Sequence, residues 1–124
     1  LKITIAQPVL MFLLGGFPAM CWGYALSTVV SWHITWLVNS ASHVWGNQEF
    51  KTGDLSMNNP LVAMLTFGEG WHNNHHAFED SCRHGLKWWQ IDMTWYLILA
   101  LEKLGLATDL RYPKEKAMNK LRFD

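Results

Sequence analysis

The stretch ITIAQPVLMFLLGGFPAMCWGYALSTVVSWHITWLV, residues 3–38, contains no Asp, Glu, Lys or Arg, and the first formal charge after Lys2 is Glu49. An apolar bilayer core takes about 20 residues of helix to cross, so this stretch holds one long span or two shorter ones. Gly15, Gly16 and Pro18 mark the break between them, since these residues interrupt a helix most readily. The reading is a helix over Ile3 to Leu14, a tight turn, and a fuller helix from Ala19 to about Ser42. A buried helix pair in a soluble protein is the competing reading. Such helices usually carry a polar face, which is nearly absent here. Trp22, Tyr24, Trp32, Trp36 and Trp45 suit the aromatic-rich interfaces of a membrane, although aromatic stripes alone also arise from packing.

The bulk composition points the same way. Hydrophobic residues make up 50% of the chain and charged residues 16%, below the roughly 25% of an ordinary soluble domain. Ten basic and ten acidic residues cancel, which leaves no basic field for a phosphate backbone and excludes nucleic acid as a partner. Cys21 and Cys82 form no C-x-x-C pair or secreted-type framework. Gly15-Gly16 lies in apolar sequence, not after a strand, so it is no nucleotide fingerprint. The chain opens on Leu1 without a signal-peptide charge pattern or cleavage site, and it reads as a piece of a longer protein.

Beyond Trp45 the chemistry changes. Gly46-Asn47-Gln48 and Lys51-Thr52-Gly53-Asp54 read as a polar turn outside the hydrocarbon. Asn58-Asn59-Pro60 is a second turn signal, and Leu61 to Phe67 is a short helix ending at Gly68-Glu69-Gly70. Leu86 to Leu104 is apolar but short for a span, and reads as an amphipathic helix in the interface or a core helix capping the site. The tail from Lys103 to Asp124 is rich in Lys and Arg, which places it on the cytoplasmic or stromal side.

The informative motif is Trp71-His72-Asn73-Asn74-His75-His76. On a helix, positions i, i+3 and i+4 share a face, so His72, His75 and His76 converge. Three imidazoles so placed serve no packing pattern, whereas a metal ion turns them into a clamp through neutral ring nitrogens. His43, at the inner end of the second apolar helix, is the natural fourth ligand, because an ionisable ring near a membrane is expensive unless employed. Asn39 lies one turn earlier and either holds a metal-bound water, orients a ligand, or bonds a neighbouring helix. His33 is ten residues before His43, about 15 Å along a helix, and is expected to be structural. His84 either supports a ligand from behind or, as is commoner, is a surface histidine, and it is left out of the ligand set. Glu69 either supports a ligand histidine or caps the helix beginning near Trp71. Imidazole-rich ligation suits iron, zinc or copper.

At Asn39-Ser40-Ala41-Ser42-His43-Val44-Trp45-Gly46 and Gly68-Glu69-Gly70-Trp71-His72-Asn73-Asn74-His75-His76, the chain closely resembles the integral-membrane acyl desaturases of the delta-9 type, particularly plant and cyanobacterial members. The stretches Arg83-His84-Gly85-Leu86 and Trp88-Trp89-Gln90-Ile91-Asp92 match as well. In that family the box with His72, His75 and His76 is the third of three, His43 corresponds to an additional ligand before it, and Asn39 resembles the position that reaches one iron through water. The first box, HxxxxH, and the second, HxxHH, are absent from this chain, so the piece alone is expected to be inactive.

The resemblance implies an all-α integral membrane fold. Transmembrane helices over about 3–42 would join a cytosolic or stromal helical part, 43–124, that carries a His-rich di-metal site. The whole, 1–124, would be the C-terminal part of a single desaturase domain. The implied enzyme is an oxidoreductase that uses two non-haem iron ions and O2 to place a cis double bond in a saturated fatty acyl chain, reducing O2 to water. Its implied partners are membrane lipid, an acyl-CoA or acyl-lipid substrate, and a cytochrome b5-type protein or ferredoxin as electron donor. The endoplasmic reticulum is the expected location, ahead of a plastid membrane. A related di-iron membrane hydroxylase and a membrane zinc protein are the alternatives.

Overall fold

The computed structural model describes residues 2–123; the ends of the expected domain, Leu1 and Asp124, lie outside them. Its regular structure is helical, joined by turns and isolated bridges. The chain divides into two compact units, residues 1–35 and 36–124.

In the first unit, α1 (Lys2–Ala19) is broken where the sequence expects it. Gly15 takes φ −151°, ψ 19° and Gly16 takes φ 67°, ψ −161°, a conformation that a Cβ disfavours at Gly16. Beyond the break the chain turns back on itself as a π-helical stretch, Met20–Leu26. Gly23 permits the close approach, since a Cβ there would stand 3.3 Å from Met11 Sδ. The Tyr24 hydroxyl donates to the Thr4 carbonyl at 3.2 Å. The π turns are a departure from the expected plain α-helix.

α2 (Ser27–Ser40) follows. Four of its hydroxyls bond to carbonyls one turn back: Ser27 Oγ donates to Gly23 O at 2.7 Å, Ser31 to Ser27 O at 2.8 Å, Thr35 to Ser31 O at 2.9 Å and Ser40 to Trp36 O at 2.7 Å. Bonding of this kind lets polar side chains sit in surroundings without water. By length and composition, Ile3–His43 is a helical run able to cross a membrane.

The second unit has a small apolar core and a large polar one. Phe50, Val62, Ala63 and Trp71 are buried, and so are Ser42, Ser56, Asn58, Thr66, His72, Asn73, Asn74, Gln90 and Asp92. A buried polar group without a partner is costly, so this interior holds only if its bonds are made. A 3-10 turn, Ala41–His43, leads into loops that pair through isolated bridges, Asn47 with Asn58 and Asn58 with Trp71. α3 (Pro60–Leu65) starts as its sequence dictates: the Asn59 side chain accepts from the Val62 N–H at 3.1 Å, with Pro60 in the first turn. α4 (His72–Ala77) is the histidine helix.

The apolar region from Leu86 is helical only over α5 (Met93–Lys103), capped by the Asp92 carboxylate on the Trp95 N–H at 2.9 Å. Gln90 explains the shorter helix, because its side-chain oxygen captures the N–H groups of Leu86 and Lys87 at 2.8 and 2.9 Å and holds that segment as turns. α6 (Glu115–Leu121) ends the chain. Backbone bonds tie the basic tail down: Cys82 N–H donates to Arg111 O at 3.0 Å, Lys51 N–H to Leu121 O at 2.7 Å and Phe123 N–H to Glu49 O at 3.3 Å.

One backbone contact fixes α3 against the start of the histidine helix. A Cβ on Gly70 would collide with the Ala63 nitrogen and stand 2.6 Å from the Ala63 Cα. We therefore expect Gly70→Ala to destabilise the protein by about 1–3 kcal/mol through overpacking, measured as a lowered midpoint of thermal unfolding.

Candidate metal centre

The box helix α4 is too short to be stable alone, and the structure shows what holds it. Asn73 and Asn74 point into the core while the three histidines share the other side. The Asn73 carbonyl oxygen accepts from the N–H groups of Glu49 and Phe50, both at 2.8 Å, and its amide donates to Phe50 O at 3.0 Å. The Asn74 side chain accepts from Asn58 Nδ2 at 2.7 Å and donates to His84 O at 2.7 Å and Gln90 Oε1 at 3.0 Å. Trp71 anchors the approach, its indole N–H donating to Ile91 O at 2.8 Å. The box thus reads as two interleaved patterns, two amides that hold the helix and three imidazoles that it presents.

His43 closes on this helix from 29 positions upstream, with its Nε2 3.0 Å from Nε2 of His72. Ring nitrogens of His43, His72 and His76 all lie within 4.8 Å of one another. Metal–imidazole bonds are about 2 Å long, so two ligands of one ion stand roughly 3 Å apart, as His43 and His72 do. His75 lies on the same side, its ring centroid 6.0 Å from His72 and 5.6 Å from His76, outside the close trio. Its Nδ1 is buried without a hydrogen-bond partner among the described residues. Asn39 occupies the last turn of α2, four residues before His43. His33, in the first unit, donates from Nδ1 to Val29 O at 2.8 Å.

Two readings of neighbouring residues are corrected. His84 is not a surface histidine: its side chain is 16% exposed, its Nδ1 lies 3.4 Å from Glu69 Oε2, and its ring is 4.7 Å from that of His75. Asp92 fixes its backbone, accepting from the His84 N–H at 2.7 Å. Glu69 does not cap α4, whose start has no side-chain cap; it serves His84. Sequence reading also missed Asp54, whose Oδ2 lies 2.7 Å from His76 Nδ1. No spacing rule joins residues 22 positions apart, and the link exists only once the loop is folded.

The electrostatics keep two of the box histidines uncharged. Burial, followed by the positive charges that His76, His43 and His75 would carry, lowers the His72 pKa to about 4. Burial, then His84 and His76, lowers that of His75. Both rings are therefore neutral near pH 7, the form that binds metal. His84 shifts the other way: burial pushes it down, but the hydrogen bond and charge of Glu69, with Asp92, raise it overall. Glu69 is lowered chiefly by its bond to His84. Asp54 is lowered too, since bonds from Ser56, Thr52 and His76 outweigh the effect of burial. Three imidazoles in a close trio, with carboxylates behind them and not among them, fit a transition metal.

Residues 2–111 match the fatty acid desaturase family. The chain is 59% identical over 117 residues to the acyl-CoA C20 Delta5-desaturase of Anemone leveillei, covering 94% of this chain and 38% of that protein. It is 57% identical over 119 residues to the chloroplastic palmitoyl-monogalactosyldiacylglycerol delta-7 desaturase of Arabidopsis thaliana, covering 96% and 32%. With the sn-1 stearoyl-lipid 9-desaturase of Synechocystis it shares 50% identity over 116 residues, covering 94% and 36%. The chain therefore spans about a third of the length of these curated relatives. A match over nearly all of the sequence, at a site built of converging imidazoles, places the chain in the fatty acid desaturase family.

Proposed function

We propose that this chain is the C-terminal part of a membrane desaturase domain and contributes His43, His72, His75 and His76, with Asn39 through a water, to a non-haem di-iron centre. The observation that carries this reading is the convergence of the His43, His72 and His76 ring nitrogens within 4.8 Å, from two segments with no local reason to meet. The remaining ligands belong to parts of the protein that correspond to the rest of its relatives' length.

The reaction is oxygen-dependent dehydrogenation of an acyl chain. A –CH2–CH2– pair, O2, two electrons and two protons give a cis –CH=CH– and two waters. The methylene hydrogens have no acidifying neighbour, so no general base on this chain could remove them. O2 is the oxidant, and bound iron would activate it, which side chains alone cannot do. The contribution of this chain is to hold the imidazoles in place. The substrate is a saturated fatty acyl chain, carried as a CoA thioester or a lipid ester, the two forms named among the relatives. Electrons come from a cytochrome b5-type protein or a ferredoxin, in the endoplasmic reticulum or a plastid membrane.

The membrane reading rests on the apolar run. The helical stretch after the glycine break, residues 17–40, exceeds the roughly 20 residues that a hydrocarbon core of about 30 Å requires. Residues 43–124 lie on the cytosolic or stromal side. Protein in membranes washed at alkaline pH should remain in the pellet and leave it only with detergent; release by the wash would overturn insertion.

The chemical test is fatty acid profiling of desaturase-deficient yeast expressing the whole protein with a compatible electron donor. New monounsaturated chains are expected, and His75→Ala with His76→Ala should bring them below detection. Iron in the purified parent, reduced in the double variant, would accompany that result. Zinc in place of iron, with unchanged lipids, would favour a non-redox metal protein instead.

A further inference from the structure

We propose that Asp54 is the positioning residue for His76, fixing which ring nitrogen is offered to the metal and the direction in which it points. Imidazole has two nitrogens, and only the one without a proton can bind a metal. Asp54 Oδ2 sits 2.7 Å from His76 Nδ1. A carboxylate there accepts a hydrogen bond from Nδ1–H and leaves the Nε2 lone pair for the site that His76 shares with His43 and His72. Carboxylate–imidazole–metal arrangements hold the ring and raise its basicity as a ligand.

The carboxylate is itself held. Its other oxygen, Oδ1, accepts from the Thr52 hydroxyl and the Ser56 N–H, both at 2.8 Å. Ser56 is fully buried, and Ser56 Oγ lies 3.4 Å from the Asn73 amide, which donates to it. Asn73 belongs to the same helix as His76. The bonds therefore form a ring: α4 fixes the 49–56 loop through Asn73, the loop fixes Asp54 through Thr52 and Ser56, and Asp54 fixes His76. Each oxygen of the carboxylate has a separate task, one structural and one directed at the ligand.

The inference rests on His76 being a metal ligand, and its test separates the two claims. The whole protein would be purified as parent, Asp54→Asn, Asp54→Glu and Leu55→Ala, the last an exposed neighbour that controls for disturbance of the loop. Each would be loaded with cobalt(II) as probe and followed by its ligand-field absorption and its metal affinity against a competing chelator, with thermal melting of the metal-free forms as a check on folding. Asp54→Asn is expected to weaken affinity about 10- to 100-fold and to shift the cobalt bands while the metal-free protein melts like the parent. Asp54→Glu should recover part of both, and Leu55→Ala should match the parent. A folded Asp54→Asn with parental affinity and spectrum would overturn the role of Asp54 while leaving the metal site standing. An Asp54→Asn that melts early, and regains nothing as Asp54→Glu, would reduce Asp54 to a loop brace and also overturn it. A parent that binds no cobalt would overturn both claims.

Discussion

Two adjacent asparagines carry the architecture around the histidines. A six-residue helix cannot hold its shape in water, and here it is placed less by apolar packing than by side-chain amides that stand in for missing backbone partners. Asn73 completes the hydrogen bonding of the loop at residues 49–50, and Asn74 joins Asn58, the carbonyl of His84 and Gln90. Each amide both donates and accepts, so neither Asp nor Leu could replace it without stranding a buried group. Around them, Asp92 and Gln90 extend the same device to the segment that follows the box, and the polar interior becomes one connected network.

That network decides where ligands stand and where charge is tolerated. Burial keeps His72 and His75 neutral, while Glu69 favours protonation of His84 close beside them. Imidazoles of the same intrinsic basicity are therefore separated into two kinds by their surroundings. The carboxylates stay behind the rings that line the trio. Such an arrangement would leave the proposed centre only imidazole nitrogens as direct ligands from this chain, with the acids steering those rings.

Much of this was legible in the sequence. The charge-free run, its break at Gly15–Gly16 and the shared face of His72, His75 and His76 follow from periods and conformational preferences that act within a few residues. His43 could be singled out because an ionisable ring at the end of an apolar helix calls for a partner. What escaped depends on contacts across the fold. The roles of Asn73 and Asn74 were hidden because amides inside a box look like spacers. Asp54 sits in a turn of ordinary composition, and His84 reads as polar surface until Glu69 and Asp92 are placed beside it. The shortened α5 has the same origin, since Gln90 competes for backbone N–H groups that hydrophobic pattern alone would assign to a helix. The π turns after Met20 depend on hydrogen-bond register, to which apolar periodicity is blind.

The meeting of His43 and His72 across 29 positions also bears on folding. An ion gripping both rings would close a loop, as a disulfide does. Such a link removes freedom from the unfolded chain, by about 3–4 kcal/mol for a loop of this length. Unlike a disulfide, it would form only where the amide network had already aimed the rings. Metal capture would then act as a checkpoint on assembly: a chain that has misplaced its loops would hold no ion and lack the added stability.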